Sequence, residues 1–206
     1  MIRFVNFITK LTAWPVQKIL FRTRIYYENK NVQSRKIKGR AIIVSNHTSV
    51  YDYAVFLFVF PFRTLRYQMA EVLFKKKVLG VYLKMLGGIF VDRASFDYSF
   101  MKKSEDILKK GGVVGIFPES RLPKKDEIPP IEFKPAAAFL ALKTNTPVIP
   151  VFTSGGYFKK PCRVVIGKPM DLSMFADSEK SEKENLADIS AIMREKVISL
   201  GEMYEF

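Results

Sequence analysis

The chain has 206 residues, enough for one domain with a substantial core. It is 48% hydrophobic and 14% aromatic, with 18 Phe, yet carries a formal net charge of +14. That surplus selects anionic partners: nucleic acid, an acidic membrane surface, an acidic carrier protein or a phosphorylated substrate. The single cysteine, Cys162, excludes an internal disulfide and a cysteine-based zinc site, and the single histidine, His47, argues against a His-rich metal centre.

Residues 1–40 carry ten bases against one acid, Glu28, an excess of nine of the chain's fourteen positive charges. No uncharged apolar run approaches the roughly 20 residues of a spanning helix, and no small-residue cleavage site follows a clean apolar core. Phe4, Phe7, Ile8 and Leu11 share a helical face, and Pro15 separates them from a second segment, Val16 to Tyr27. Two short basic amphipathic helices with Trp14 at their junction read as an anchor on an anionic membrane surface; the plainer alternative is two helices packed on the core. Nothing here resembles an aromatic stacking sheet or a DNA-reading helix pair, so nucleic acid is not an expected partner.

Ala41-Ile42-Ile43-Val44 reads as a buried strand, followed by a polar turn, Ser45 to Ser49, and an apolar helical run, Tyr51 to Phe60. His47 thus falls where a strand's carboxyl end meets a helix start. An offset of five separates two residues by about 140° on a regular helix. His47 and Asp52 therefore meet only if the histidine lies in the turn and the aspartate in the first helical turn. There the carboxylate takes the Nδ1 proton and leaves Nε2 as a base; the alternative is a histidine that merely caps the helix.

Further on, Arg66 to Ala70 reads as a strand and Glu71 to Leu86 as helical turns around Gly80, stopped by Gly87-Gly88. Ile89-Phe90-Val91 is a strand ending at Asp92-Arg93, and Ser95 to Lys110 a helix closed by Gly111-Gly112. The strand Val113 to Phe117 precedes Pro118-Glu119-Ser120-Arg121. A polar loop, Lys124 to Pro130, leads to a helix, Ala136 to Lys143, and a strand, Pro147 to Phe152. One more strand, Arg163 to Gly167, precedes a closing helix with a stripe of Leu186, Ile189, Met193, Val197 and Leu200. This alternation predicts an α/β fold: a mixed, largely parallel sheet flanked by helices, with the amphipathic helical pair in front. In such a sheet function gathers at the carboxyl ends of strands, where His47, Asp92, Arg93, Glu119 and Arg121 all fall.

Four stretches together resemble the glycerolipid acyltransferase family, the lysophosphatidic acid acyltransferase-like (PlsC-like) enzymes. They are Asn46-His47-Thr48-Ser49-Val50-Tyr51-Asp52, with the family's His and Asp and four residues between them; Gly88 to Arg93; Phe117-Pro118-Glu119-Ser120-Arg121; and Thr146 to Val151. The third departs from the usual F-P-E-G-T-R by lacking Gly-Thr. The stretch Ala70-Glu71-Val72 lacks a lysine often found before the Leu-Phe, and Ala136 stands where Gly is common.

The basic, amphipathic start reads as an anchor over 1–36, and the resemblance implies an acyltransferase domain over 37–206. It implies acyl transfer from a thioester, acyl-CoA or acyl carrier protein, to the free hydroxyl of lysophosphatidic acid, with no other cofactor and no metal. His47 would be the base and Asp52 its orienting carboxylate, while Arg93, Glu119, Ser120 and Arg121 would bind the acceptor. With no G-x-S-x-G elbow, direct attack is expected; Ser49 and Cys162, the rival nucleophiles, read as structural. Backbone N–H groups after Phe117-Pro118 or near His47 are the expected oxyanion donors. The expected location is the cytoplasmic face of the cell membrane, peripheral or monotopic. The alternatives are transfer to another lyso-lipid or to glycerol 3-phosphate and, in another class, a non-catalytic basic membrane-binding protein.

Overall fold

The structure is a computed structural model, and it describes residues 1–92 and 98–204. Seven strands, β1 (Arg24–Tyr27), β2 (Ala41–Ser45), β3 (Leu65–Ala70), β4 (Ile89–Val91), β5 (Val113–Ile116), β6 (Val148–Thr153) and β7 (Arg163–Ile166), form one sheet. Their order is β1-β7-β6-β2-β5-β3-β4. Every pairing between named strands is parallel except β6 with β7. The alternating pattern of the sequence is realised as a mixed, largely parallel sheet between helices.

Strand β2 lies near the middle, between β5 and β6, and all five of its residues are buried. Its continuous apolar run follows from that place, since both faces of a parallel sheet are covered. Ala41 and Ile43 face one core with helix α2 (Asp52–Val59). Ile42 and Val44 face the other with α5 (Ser99–Lys109), α6 (Ala136–Thr144) and α7 (Glu182–Glu202). The closing stripe holds: Ile189, Met193, Val197 and Leu200 are all buried. Ser181 starts α7 with a reciprocal capping box to Glu184.

Helix α2 is apolar on every side because it is covered on both. Val55, Phe56 and Val59 face the sheet, whereas Leu57 and Phe58 pack with Leu86 under Val5 and Ala13. Those last two belong to α1 (Ile2–Leu20), which lies over α2 and over α4 (Lys77–Leu86), the helix that follows the single turn α3 (Glu71–Phe74). Asn6 Nδ2 donates to Leu86 O (2.7 Å), and Lys10 Nζ to Pro61 O (3.1 Å) and Arg63 O (2.7 Å), beyond the end of α2.

The expected pair of N-terminal helices is instead one helix and an edge strand. Pro15 sits inside α1 without ending it. A proline removes one backbone hydrogen bond, but the helix stays seated because Asn6, Ala13 and Gln17 dock on both sides of it. Beyond Arg22, at φ +45°, residues 24–27 pair with β7. Ile25, Tyr26 and Tyr27 are β-branched or aromatic, and the open edge of β7 satisfies their backbone better than another helical turn would.

Candidate active site

The site lies at the carboxyl ends of β2, β5 and β6, three adjacent parallel strands. At the end of β2, Asn46 is buried and clasps β6 with two hydrogen bonds: Nδ2 donates to Thr153 O and Thr153 N donates to Oδ1, both at 2.8 Å. The chain then turns through residues 47–51 into α2, whose first residue is Asp52. The turn-to-helix arrangement brings His47 Nδ1 to 2.7 Å from Asp52 Oδ2.

Asp52 is fully buried and is surrounded by donors. Oδ2 accepts Thr48 N (2.8 Å) and Ser49 N (3.0 Å) besides His47; Oδ1 accepts Thr48 Oγ1 (2.8 Å) and the Tyr157 hydroxyl. An oxygen pair that only accepts is the ionised carboxylate, and its seat at the start of α2 suits a negative charge. Nδ1 therefore carries the proton, and Nε2, with no protein partner among the described residues, is the open basic nitrogen. The ring is one-fifth exposed and stacks on Phe117 at 4.3 Å and 12°.

Glu119, at the end of β5, is 2% exposed. Oε1 accepts His47 N at 2.6 Å and Oε2 accepts Ile131 N at 2.9 Å. Burial pushes its carboxyl up, and these two backbone bonds pull it back. The side chain ties the histidine's backbone to the loop after β5. Ser120 is exposed at φ +60°, a left-handed conformation that a glycine adopts freely. Arg121 is exposed and forked onto Glu127, with NH1–Oε2 and NH2–Oε1 both 2.6 Å. Arg93 lies outside the described residues.

Four of the expected oxyanion donors are otherwise engaged. The N–H groups of His47, Thr48 and Ser49 go to the two carboxylates, and that of Ser120 goes to Phe117 O. Cys162 is fully buried, and that burial pushes its thiol up, away from the thiolate a nucleophile needs. Ser49 Oγ accepts Tyr51 N at 3.2 Å, a bond that shapes the turn into α2. Among the described residues no three His, Cys, Asp or Glu side chains gather to hold a metal ion.

The sequence gives no sign that the side chains of Tyr157, Thr48 and Phe117 pack on the His47–Asp52 pair. Tyr157 lies 105 positions from Asp52, and only the pairing of β6 with β2 brings it there.

An acyltransferase family model matches residues 24–154, which hold the carboxyl ends of β2, β5 and β6. The chain belongs to the acyltransferase family. Among similar proteins is the 1-acyl-sn-glycerol-3-phosphate acyltransferase of Bacillus subtilis, 28% identical over 148 residues, covering 69% of this chain and 71% of that one. Its namesake from Borreliella burgdorferi is 25% identical over 78% of this chain and 66% of its own length. The human 1-acyl-sn-glycerol-3-phosphate acyltransferase beta is 27% identical over 70% of this acyltransferase and 52% of its own length. The crystal structure of the 1-acyl-sn-glycerophosphate acyltransferase PlsC from Thermotoga maritima shares the fold, with a TM-score of 0.66 at 22% identity over 97% of this chain and 79% of that one.

Proposed function

We propose that this acyltransferase moves a fatty acyl group from a thioester to the free hydroxyl of lysophosphatidic acid, giving phosphatidic acid. The observation that carries the reading is the 2.7 Å contact between His47 Nδ1 and the buried Asp52, with Nε2 left open. The names of the similar proteins support the choice of acceptor.

In the proposed step Nε2 of His47 takes the acceptor's hydroxyl proton as its oxygen attacks the thioester carbonyl. A C–O bond forms, the tetrahedral intermediate collapses, the C–S bond breaks, and the imidazolium returns its proton to the departing thiolate. Asp52 holds the tautomer and stabilises the imidazolium. The thioester of acyl-CoA or acyl carrier protein is the only co-substrate the balance requires. Glu119 positions His47 by its backbone, and Arg121 would exchange the Glu127 carboxylate for the acceptor's phosphate, a match its planar fork suits. The resemblance adds Arg93 and Ser120 to the residues proposed to bind the acceptor.

The lipid acceptor calls for a membrane, and α1 supplies a surface for one. Phe4, Phe7, Leu11 and Ile19 are each more than 60% exposed, whereas the polar Asn6 and Gln17 are buried. That inversion of the usual helix suits an apolar face set into the headgroup boundary, with Lys18 over the Trp14 ring at 4.4 Å. The adjoining α4 exposes Val78, Val81 and Tyr82 behind Lys75, Lys76 and Lys77. No helix among the described residues is long and apolar enough to cross a membrane. The exposed apolar face of α1 supports contact with a membrane surface by insertion into one leaflet; that this is the cytoplasmic face of the cell membrane is part of the proposal.

The test is thiol release from acyl-CoA and acyl carrier protein with lysophosphatidic acid, other lyso-lipids and glycerol 3-phosphate as acceptors. His47→Ala should lower turnover by about 10²–10⁴ with vesicle binding unchanged. Normal turnover in that variant would refute the base, and preference for another acceptor would refute lysophosphatidic acid. Phe7→Ser with Leu11→Ser should weaken sedimentation with anionic vesicles.

A further inference from the structure

The loop after β6 is built to deliver one hydroxyl to Asp52. Gly155 and Gly156 take φ +63° and +80°, and Phe158 takes +69°. A side chain at Gly155 would come within 2.8 Å of Thr48 Oγ1, so the loop lies directly on the turn that carries His47. Between these residues Tyr157 turns inward, edge-on to Phe21 at 5.4 Å and near Tyr51 at 6.1 Å, and its hydroxyl donates to Asp52 Oδ1.

We propose that Tyr157 is a positioning residue of the acyl-transfer reaction, whose hydroxyl sets how much of the Asp52 charge reaches His47. This rests on the reading of His47 as the base. Every hydrogen bond to a carboxylate disperses its charge, and Oδ1 has two hydroxyl donors, Tyr157 and Thr48. With both in place the carboxylate orients the imidazole yet stabilises the imidazolium less strongly, so Nε2 passes its proton readily to the thiolate.

Other ionisable groups face Asp52, and none replaces this bond. Glu119 comes from the end of β5, Tyr67 from β3 and Cys162 from the start of β7. Burial holds the phenols of Tyr67 and Tyr157 far above their ordinary range, so both stay protonated through the working pH range. Glu119 is engaged by backbone and Cys162 by Thr153 Oγ1 at 3.4 Å.

The experiment is the pH dependence of kcat for thiol release, with lysophosphatidic acid saturating, in wild type, Tyr157→Phe and protein carrying 3-fluorotyrosine at residue 157. Phe keeps the ring contacts and removes the donor. The acidic limb, where the base takes up a proton, should move to higher pH by about one unit, with kcat down roughly three- to tenfold and KM within twofold. Fluorotyrosine keeps the shape and donates more strongly, so the limb should move to lower pH. It also serves as the deciding variant if Phe destabilises the loop. A limb that stays within 0.2 unit of wild type in the folded variants, even with kcat lowered, would show a merely structural tyrosine and overturn the proposal (roughly the precision of such profiles). Turnover retained in His47→Ala would instead overturn the underlying base, so the two failures are separable.

Discussion

Asp52→Asn is the sharpest probe of the site, because the surrounding donors dictate how an amide must lie. With its carbonyl in the place of Oδ2, the amide still accepts Thr48 N, Ser49 N and the His47 Nδ1 proton; its NH₂ then gives hydrogens to Thr48 Oγ1 and Tyr157, whose hydroxyls rotate to accept. The opposite orientation strands two backbone N–H groups, a cost of about 1–3 kcal/mol each, and is excluded. The variant therefore folds with the correct histidine tautomer and loses only the charge. At an effective dielectric of about 20, a full charge pair about 4 Å apart is worth ~4 kcal/mol. Because the imidazolium is only partly formed in the transition state, the loss should be ~2–4 kcal/mol, or about 30- to 1,000-fold in kcat. The assay is thiol release beside a thermal melt. The melt should move by no more than a few degrees, and the acidic limb should shift to lower pH, opposite to Tyr157→Phe. A kcat within threefold of wild type in the folded variant would refute the electrostatic role of Asp52.

Two further changes test the supports around the dyad. A Cβ at Gly115 would lie 2.2 Å from the buried Tyr67 ring, which stacks on Phe117 at 5.1 Å, which in turn stacks on His47. Gly115→Ala should cost about 1–3 kcal/mol by overpacking and also lower kcat. Val114→Ala, facing the other core, should lower stability with little effect on kcat, and equal kcat in the two variants would refute the stacking argument. Ser120→Gly should raise stability by about 0.5–1 kcal/mol, read in urea melts, because glycine takes the +60° φ without strain; a lower stability would contradict that conformation.

Much of the sheet was legible from local patterns. Runs such as Ala41-Ile42-Ile43-Val44 and Val113-Val114-Gly115-Ile116 became β2 and β5, and Gly87 stops α4 in the left-handed conformation a helix end favours. The meeting of His47 with Asp52 was legible too, since an offset of five has one workable geometry. The N-terminal segment misled because Pro15 and a basic, aromatic run are local signals. Whether residues 24–27 continue a helix is settled by an edge of β7 formed some 140 residues later.

By itself, the sequence determined the alternation of strands and helices, the meeting of His47 with Asp52, and the basic, apolar start. These follow from periodicity and short-range geometry, which a linear reading contains. Only the tertiary structure decided what surrounds the dyad. Setting β2 between β5 and β6 puts Glu119 under the His47 backbone and Tyr157 on Asp52, contacts spanning 72 and 105 positions. Packing α1 on α2 and α4 decided which face stays bare, burying Asn6 and Gln17 and leaving the phenylalanines outside. Strand order and helix docking come from summed burial over the whole chain, so no window of residues encodes them.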